Sequence, residues 1–235
     1  WNGSDIKKKN IKKLDGILMD LGISSPQIDE AKRGFSFRFD AFLDMRMDQS
    51  KGITAADIIN TYEEKDLIYA LKIYGEEKFA KKIVKKIIEY RKINGPITKT
   101  LELADLIKNT IPKKGLKKDP ATKTFQALRI MVNQEIDELK DVLPKAFNYL
   151  KPKGRIVVIS FHSLEDRIVK NYTKSQMKTD LIPKNIPIRA SDIKLAPFKI
   201  VQKMITPTLN ETEQNPRSRS AKLRVIEKVA EAPWN

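Results

Sequence analysis

A short apolar stretch that ends in an aspartate, close to the start of the sequence, constrains the fold more than any other feature. Residues 14–27 read LDGILMDLGISSPQ, in which the small or apolar residues 16–19 run into Asp20 and then into a hydroxyl-rich turn. A buried parallel strand ends in this way at the ligand-binding edge of an open sheet. The segment KGRIVVISFHS repeats the pattern at residues 153–163. Two such strands with helices between them predict a doubly wound α/β core.

The charge balance indicates a polyanionic partner, and nucleic acid is the first candidate. The formal net charge is +16 and the isoelectric point is near 9.8, an excess that attracts phosphate through counterion release. The alternative is a lysine-rich surface that is merely solvated. The absence of cysteine and the single histidine exclude disulfides, thiol catalysis and cysteine- or histidine-rich metal sites. No apolar run approaches the roughly 20 residues of a membrane span, so we expect no membrane partner.

The chain order predicts a discontinuous core that is interrupted by a helical domain. Residues 14–44 and 119–229 contain the strand-like segments, including two later ones near 198–204 and 222–229. Between the first two strands, residues 45–118 are lysine-rich and show helical periodicity. We therefore expect an inserted helical domain over 45–118, and a core domain formed by the flanking segments.

Capping residues and prolines predict where several helices begin and end. Thr54 is expected to cap one short helix, and Thr61 with Glu64 matches the capping box of the next. The apolar spacing over 76–91 predicts a longer helix with lysines around its other faces. In the last long helix before the second strand, Pro144 predicts a kink or a restart.

Several long segments together resemble one enzyme family. They read DGILMDLGISSPQ with RGFSFRFDAFLDMRMD, then DPATKTFQALRIMVNQEI, and then GRIVVISFHSLEDRIVK followed by NPRSRSAKLR. The chain resembles the small-subunit ribosomal RNA methyltransferase H family, also called MraW-like. These enzymes methylate the exocyclic amino nitrogen of a cytidine in the decoding centre. The resemblance spans about residues 14–229 and is more specific than a single short motif.

The resemblance implies a class I methyltransferase with a Rossmann-like core, an inserted helical domain that helps to bind RNA, and S-adenosylmethionine as cofactor. The implied reaction is a direct displacement, in which the enzyme positions the cytosine amino group, excludes water and removes a proton. No metal is required. The implied partner is small-subunit ribosomal RNA or a 30S-type particle, and a homodimer is one candidate assembly. The implied location is the cytoplasm, or the matrix of an organelle.

The resemblance also assigns candidate residues at the carboxyl ends of the two strands. Asp20 and Gln27 match family positions that line the cofactor site, although Asp20 could instead cap its own loop and Gln27 could lie on the surface. Ser24 and Ser25 are candidates to orient the target amino group, or simply to satisfy a tight turn. His162 is a candidate proton acceptor, the alternative being a side chain that anchors the strand-to-helix turn.

Basic residues elsewhere are candidates for RNA contact. Arg217, Ser218 and Arg219 lie in a loop between the last two strands, where arginine suits phosphate or a base edge. Lys82 and Lys86 belong to the lysine-rich helix and are candidates for an RNA-binding face. The alternatives are an ordinary surface turn and a solvated amphipathic helix.

The sequence departs from the family pattern at its beginning. The family has a glycine-rich turn after its first strand and an acidic residue after its second, but none of the nine glycines here forms a G-x-G cluster. We therefore expect the N-terminal strands of the core to be absent, and expect this chain alone to bind the cofactor poorly or to be inactive. The alternative function is a non-catalytic RNA-binding remnant of the same family.

Overall fold

The structure is a computed structural model that describes residues 12–112, 119–177 and 196–229. The chain divides into two compact units. Trp1–Gly22 and Ile136–Asn235 form the sheet unit, and Ile23–Glu135 form the helical unit. No helix within the described ranges is long and apolar enough to cross a membrane.

The described residues contain four strands and nine α-helices. Their chain order is β1 (Leu14–Asp20), α1 (Ser25–Asp29), α2 (Ala55–Thr61), α3 (Glu64–Ile73), α4 (Ala80–Ile93), α5 (Thr100–Thr110), α6 (Thr122–Asn133), α7 (Glu135–Tyr149), β2 (Leu150–Ser160), α8 (Ser163–Gln176), β3 (Phe198–Ile205), α9 (Leu209–Gln214) and β4 (Lys222–Lys228). Helices α1 to α6 lie in the helical unit, and the strands lie in the sheet unit with α8, α9 and nearly all of α7.

The four strands form one mixed sheet in the order β1-β2-β4-β3. Strands β1 and β2 are parallel, and β4 runs antiparallel between β2 and β3. Within the described part of the chain, β1 has a paired neighbour on one side only, and Leu18 is 69% exposed. In this sheet β1 is thus an exposed edge strand, whereas the sequence pattern alone is typical of a buried inner one.

The core of the sheet unit lies between the sheet and the helices packed on it. Strand β2 alternates buried and more exposed residues over its second half, which is the period-2 pattern of a half-buried strand. Its buried side chains pack with apolar residues of α7 and α8 and of the two later strands: Leu139, Leu143, Ala146, Phe147, Leu150, Ile156, Val158, Val169, Phe198 and Ile226.

The helical unit has a separate core that extends beyond the predicted domain limits. The irregular segment after α1 contributes Leu43 and Met45, both fully buried, and Phe125 and Leu128 of α6 pack into the same cluster. Helix α6 also packs against α2 and α3. Residues 23–44 and 119–135 therefore group with the helical unit, whereas the sequence assigned 14–44 and 119–229 to the core domain.

Two predicted helix starts differ in the structure. Thr61 does not cap α3, because it ends α2 and donates its hydroxyl hydrogen to the Asp57 carbonyl oxygen at 2.7 Å. The residue before α3 is Glu63. Helix α4 begins at Ala80 rather than at residue 76, because Glu76 has a left-handed backbone with φ of 48°.

The break in the long helical region falls at Gln134, not at Pro144. Helix α7 continues through Pro144. Gln134 adopts the left-handed conformation with φ of 51° and donates its backbone N–H to the last turn of α6, which separates α6 from α7. A single left-handed residue with this hydrogen bond is a common way to end a helix.

Candidate functional site

The carboxyl ends of β1 and β2 lie side by side in the sheet unit. Asp20 is opposite Ile159, and the backbone N–H of Leu21 donates to the Ile159 carbonyl oxygen at 3.0 Å. In the turn that follows, Gly22 has φ of +95°, and a Cβ atom there would lie 3.8 Å from the Phe161 ring. The turns after the two strands therefore meet at one edge of the sheet, which is where open α/β sheets bind ligands.

Asp20 presents a carboxylate at this edge. It is the last residue of β1 and is exposed. None of the hydrogen bonds or ion pairs found among the described residues uses its side chain, so no contact supports the alternative that it caps its own loop. Its oxygens are available as acceptors for the hydroxyl or amino groups of a ligand.

His162 is the N-cap of α8. Its Nδ1 accepts the backbone N–H of Glu165 at 3.4 Å, and Glu165 Oε2 accepts the backbone N–H of Phe161 at 2.9 Å. The His162 side chain is only 9% exposed, with Nε2 3.1 Å from Glu165 Oε1. These contacts favour the alternative in which His162 anchors the strand-to-helix turn, since the lone pair of Nδ1 is already used.

Asp166 links the first turn of α8 to β4. Its carboxylate accepts from Arg224 Nε at 2.7 Å and lies 3.4 Å from Lys222 Nζ. Burial by itself would raise the pKa of Asp166, but the hydrogen bond and positive charge of Arg224, together with Lys222, outweigh it and lower the pKa. The sequence did not identify this ion pair, because Asp166 and Arg224 are 58 positions apart and only the fold brings them together.

Ser24 and Gln27 interact with each other at the start of α1, in the helical unit. The Gln27 Oε1 accepts the backbone N–H of Ser24 at 2.9 Å and its hydroxyl hydrogen at 3.2 Å. Ser25 is the exposed first residue of the helix. The carbonyl oxygen of Gln27 is thus engaged locally, and its amide nitrogen is the part of the side chain suited to a ligand acceptor.

Arg217, Ser218 and Arg219 lie in a short 3-10 helix between α9 and β4, in the sheet unit. Ser218 is buried, and its hydroxyl group donates to the Asn215 carbonyl oxygen at 2.8 Å. Both arginines are exposed, and Arg219 donates to the Pro216 carbonyl oxygen at 3.0 Å. Ser218 therefore stabilises the turn. The two arginines are the residues of this segment whose side chains are exposed for contact with RNA.

Lys82 and Lys86 are both exposed on α4 in the helical unit, but only Lys86 is paired with a carboxylate among the described residues. Lys86 Nζ lies 2.7 Å from Glu89 Oε2, and this hydrogen bond lowers the pKa of Glu89. Lys82 has no acidic partner among the residues that the structure describes. Lys85 is also exposed and forms no ion pair in that part of the chain, although its charge helps to lower the pKa of Glu89.

The sheet and the helices packed on it define a mixed α/β protein. The profile of the MraW methylase family matches residues 3–229. The chain therefore belongs to the MraW methylase family.

About half of the aligned residues are identical between this chain and its relatives. A protein of Methylobacillus flagellatus named ribosomal RNA small subunit methyltransferase H is 51% identical over 94% of this chain and 69% of its own length. Proteins with the same name are 49% identical in Chromobacterium violaceum, over 98% of this chain and 72% of theirs, and 51% identical in Caldicellulosiruptor saccharolyticus, over 93% and 71%.

Proposed function

We propose that the protein methylates the exocyclic amino nitrogen of a cytidine in small-subunit ribosomal RNA, with S-adenosylmethionine as the methyl donor. The observation that carries the proposal is its similarity, near 50% identity over at least 93% of the chain, to proteins named for methylation of this RNA. The free Asp20 carboxylate at the carboxyl edge of the sheet supports a ligand site of the kind that such an enzyme needs.

The residues at this edge fit one side of an S-adenosylmethionine site. Asp20 offers an unengaged carboxylate to hydroxyl or amino groups of the cofactor, and the turn at Gly22 carries no side chain that would cover it. In the helical unit, the amide nitrogen of Gln27 would donate to an acceptor of the cofactor. The bound cofactor supplies an electrophilic methyl group on its sulfonium sulfur. The protein's own contribution is to hold the two reactants in line and exclude water.

We assign different roles to the residues proposed to act near the cytosine amino group. Ser24 and Ser25 would orient the cytosine amino group from the start of α1, with the Ser24 hydroxyl hydrogen shared with Gln27. His162 would act by holding the turn after β2 through its cap on Glu165, rather than by taking the proton itself. In this scheme water is excluded while the methyl group moves, and the methylated nitrogen then releases its proton to bulk solvent.

The RNA contacts would come from exposed cations of both units. Arg217 and Arg219 would bind phosphate or a base edge beside the sheet, and Ser218 would hold their turn. On α4, Lys82 would contribute a full positive charge, and Lys86 a charge already shared with Glu89. A small-subunit particle, cytoplasmic or in an organelle matrix, is the proposed partner, and the homodimer remains a proposal for the assembly.

We further propose that the sheet unit is a class I methyltransferase core, with the helical unit as its insertion. The support is the parallel pair β1 and β2, followed by an antiparallel strand between β2 and β3, with the helical unit between β1 and β2 in the chain. The uncovered side of β1, where Leu14, Ile17, Leu18 and Val142 line an apolar cavity of about 380 Å³, would take further strands of the core. A chain without those strands would bind the cofactor weakly.

Methyl transfer to small-subunit particles, with radiolabelled S-adenosylmethionine and mapping of the modified atom, tests this function. The experiment uses the protein with any residues that its gene encodes beyond these 235. We expect Asp20→Asn to weaken cofactor binding in calorimetry by roughly tenfold or more, because a charge-assisted hydrogen bond is lost. Asp15→Asn is the matched control, since Asp15 is an exposed carboxylate of the same strand, paired with Lys151 at 2.9 Å.

Four results separate the alternatives. Methylation of the cytidine amino nitrogen supports the proposal, and methylation of another atom contradicts it. Salt-dependent RNA binding with no thermal shift on addition of S-adenosylmethionine favours the non-catalytic RNA-binding remnant. Normal cofactor affinity in Asp20→Asn would show that the cofactor assignment of Asp20 is wrong.

A further inference from the structure

A basic groove lies between α8 and strands β3 and β4, and its lining includes none of the candidate site residues named from the sequence. It lies wholly within the sheet unit and has a volume of about 200 Å³. This is below the roughly 300–1,000 Å³ of small-molecule pockets, so the groove is too small to enclose a cofactor. We call it the α8–β3 groove. Its lining includes Lys170, Lys174, Ile200, Lys203, Arg224 and Ile226.

The α8–β3 groove carries uncompensated positive charge. Lys170 and Lys174 of α8 and Lys203 of β3 are exposed, and their ammonium groups have no acidic partner in the part of the chain that the structure describes. The lining of the groove includes no carboxylate. The nearby Asp166 is already paired with Arg224 at 2.7 Å, so it does not neutralise the lysines. Three free ammonium groups around one groove form an electrostatic site for a polyanion.

The floor of the groove is apolar. Ile200 and Ile226 are direct partners across the β3 to β4 pairing, and Ile226 is buried. Ile226 belongs to the packed core of the sheet unit, so the partly exposed Ile200 is the apolar surface that a nucleobase can contact between the flanking cations. Through the sheet register, Ile226 is also opposite Ile156, four residues before the end of β2 at Ser160. The floor is therefore about 13 Å along the strand from the carboxyl edge.

We infer that the α8–β3 groove binds single-stranded RNA next to the nucleotide that enters the carboxyl edge. The lysines contact phosphates, and one base lies against the partly exposed Ile200. Arg224 keeps its pairing with Asp166 and holds the wall formed by β4. This inference rests on the proposed function, since it takes the ribosomal RNA substrate from there and adds where its flanking strand binds.

The test compares two triple variants that each remove three positive charges. The groove variant is Lys170→Gln with Lys174→Gln and Lys203→Gln. The matched control is Lys12→Gln with Lys72→Gln and Lys153→Gln, which are exposed lysines outside the groove. The probe is a fluorescent 12-nucleotide single-stranded RNA with the decoding-centre sequence, and its affinity for the 235-residue chain is measured over a range of salt concentrations. Urea unfolding checks that both variants remain folded.

We expect the groove variant to bind the RNA roughly tenfold or more weakly, and its plot of log affinity against log salt to flatten by about two. This slope change follows from three phosphate contacts at about 0.7 each. The control should keep most of the affinity and slope. Equal losses in both variants would overturn the groove site in favour of general charge attraction.

The remaining outcomes separate this inference from the proposed function. RNA binding that is unchanged in the groove variant overturns the groove alone. Loss of self-association in the groove variant, measured by sedimentation, with unchanged RNA affinity also overturns it and assigns the groove to protein contact. If the unmodified protein does not bind the RNA, the inference fails, and the proposed function fails only when methyl transfer to small-subunit particles is absent as well.

Discussion

At the residue scale, single side chains hold the irregular segment between α1 and α2 in place. Asp44 accepts from Arg46 Nε at 2.7 Å and from Gln49 Nε2 at 3.0 Å. Burial alone would raise the pKa of Asp44, but the hydrogen bonds from Arg46 and Gln49 outweigh it and lower the pKa. The carboxylate therefore stays ionised near neutral pH and pairs with the partly exposed Arg46. Such a network allows a loop without regular structure to form part of the core.

Gly34 and Gly52 give a matched pair of substitutions in this segment. Both have positive φ, of +68° and +78°. A Cβ atom at Gly34 would lie 2.5 Å from the Asp44 backbone nitrogen, whereas a Cβ atom at Gly52 would have nothing within 4 Å. We expect Gly34→Ala to lower the free energy of unfolding by about 3 kcal/mol, from backbone strain and a steric clash together. Gly52→Ala should lower it by only about 1 kcal/mol.

Urea unfolding followed by circular dichroism measures both effects. Equal losses of stability would mean that the close approach of Gly34 to the Asp44 backbone does not exist in solution. A smaller loss for Gly34→Ala than for Gly52→Ala would contradict the packing of this segment outright.

At the element scale, the positions where helices end depend on contacts that follow from tertiary packing. Thr54 caps α2 as its sequence context predicts, with its hydroxyl oxygen accepting the Asp57 N–H at 3.1 Å. Thr61 has the same local pattern and does not cap α3. The difference arises because α2 is long enough to include Thr61 in its last turn. A capping motif therefore indicates a helix start, but neighbouring motifs compete for the same residues.

Gln134 provides a test of the boundary between α6 and α7. Its left-handed backbone is strained for a residue with a side chain and relaxed for glycine. We expect Gln134→Gly to raise the free energy of unfolding by about 0.5 kcal/mol, and Gln134→Val to lower it by about 1 kcal/mol because a β-branched side chain disfavours this conformation. Urea unfolding of both variants measures these changes. Stabilisation by Gln134→Val would refute the left-handed cap.

At the scale of the whole molecule, two hydrophobic cores form in one chain. The core of the helical unit is built from residues between 35 and 128, and the core of the sheet unit from residues between 139 and 226. The buried residues of the two cores do not overlap in the described part of the chain. Each unit therefore has the means to bury its own apolar surface, which is the physical definition of a domain.

The helical unit is accordingly expected to fold by itself. A fragment of residues 23–135 should show a helical circular dichroism spectrum and one cooperative urea transition. Leu103→Ala, at a fully buried position, should lower its stability by about 3 kcal/mol in the fragment. Ile93→Ala is the control, since Ile93 is 82% exposed and should change little. A fragment without a cooperative transition would contradict an independent core.

Much of the fold could be predicted from the sequence, and less of the site. Strands β1 and β2 and the start of α2 at the Thr54 cap follow from local periodicity and capping residues. The family was identified from its motifs and is confirmed by the profile match over residues 3–229. The pairing of Asp166 with Arg224, and the neutralisation of Lys86 by Glu89, depend on side-chain distances and are absent from any local pattern.

The first strand shows the division between sequence and tertiary structure most clearly. The sequence determined by itself that LDGILMD forms a strand ending in Asp20, because apolar residues followed by a polar turn favour that conformation in any sheet. Only the tertiary structure decided that β1 pairs with β2 alone in the described sheet, that Asp20 has a free carboxylate and that Leu18 is exposed. Local preference acts within a few residues, whereas pairing, burial and free charge depend on segments far apart in the chain.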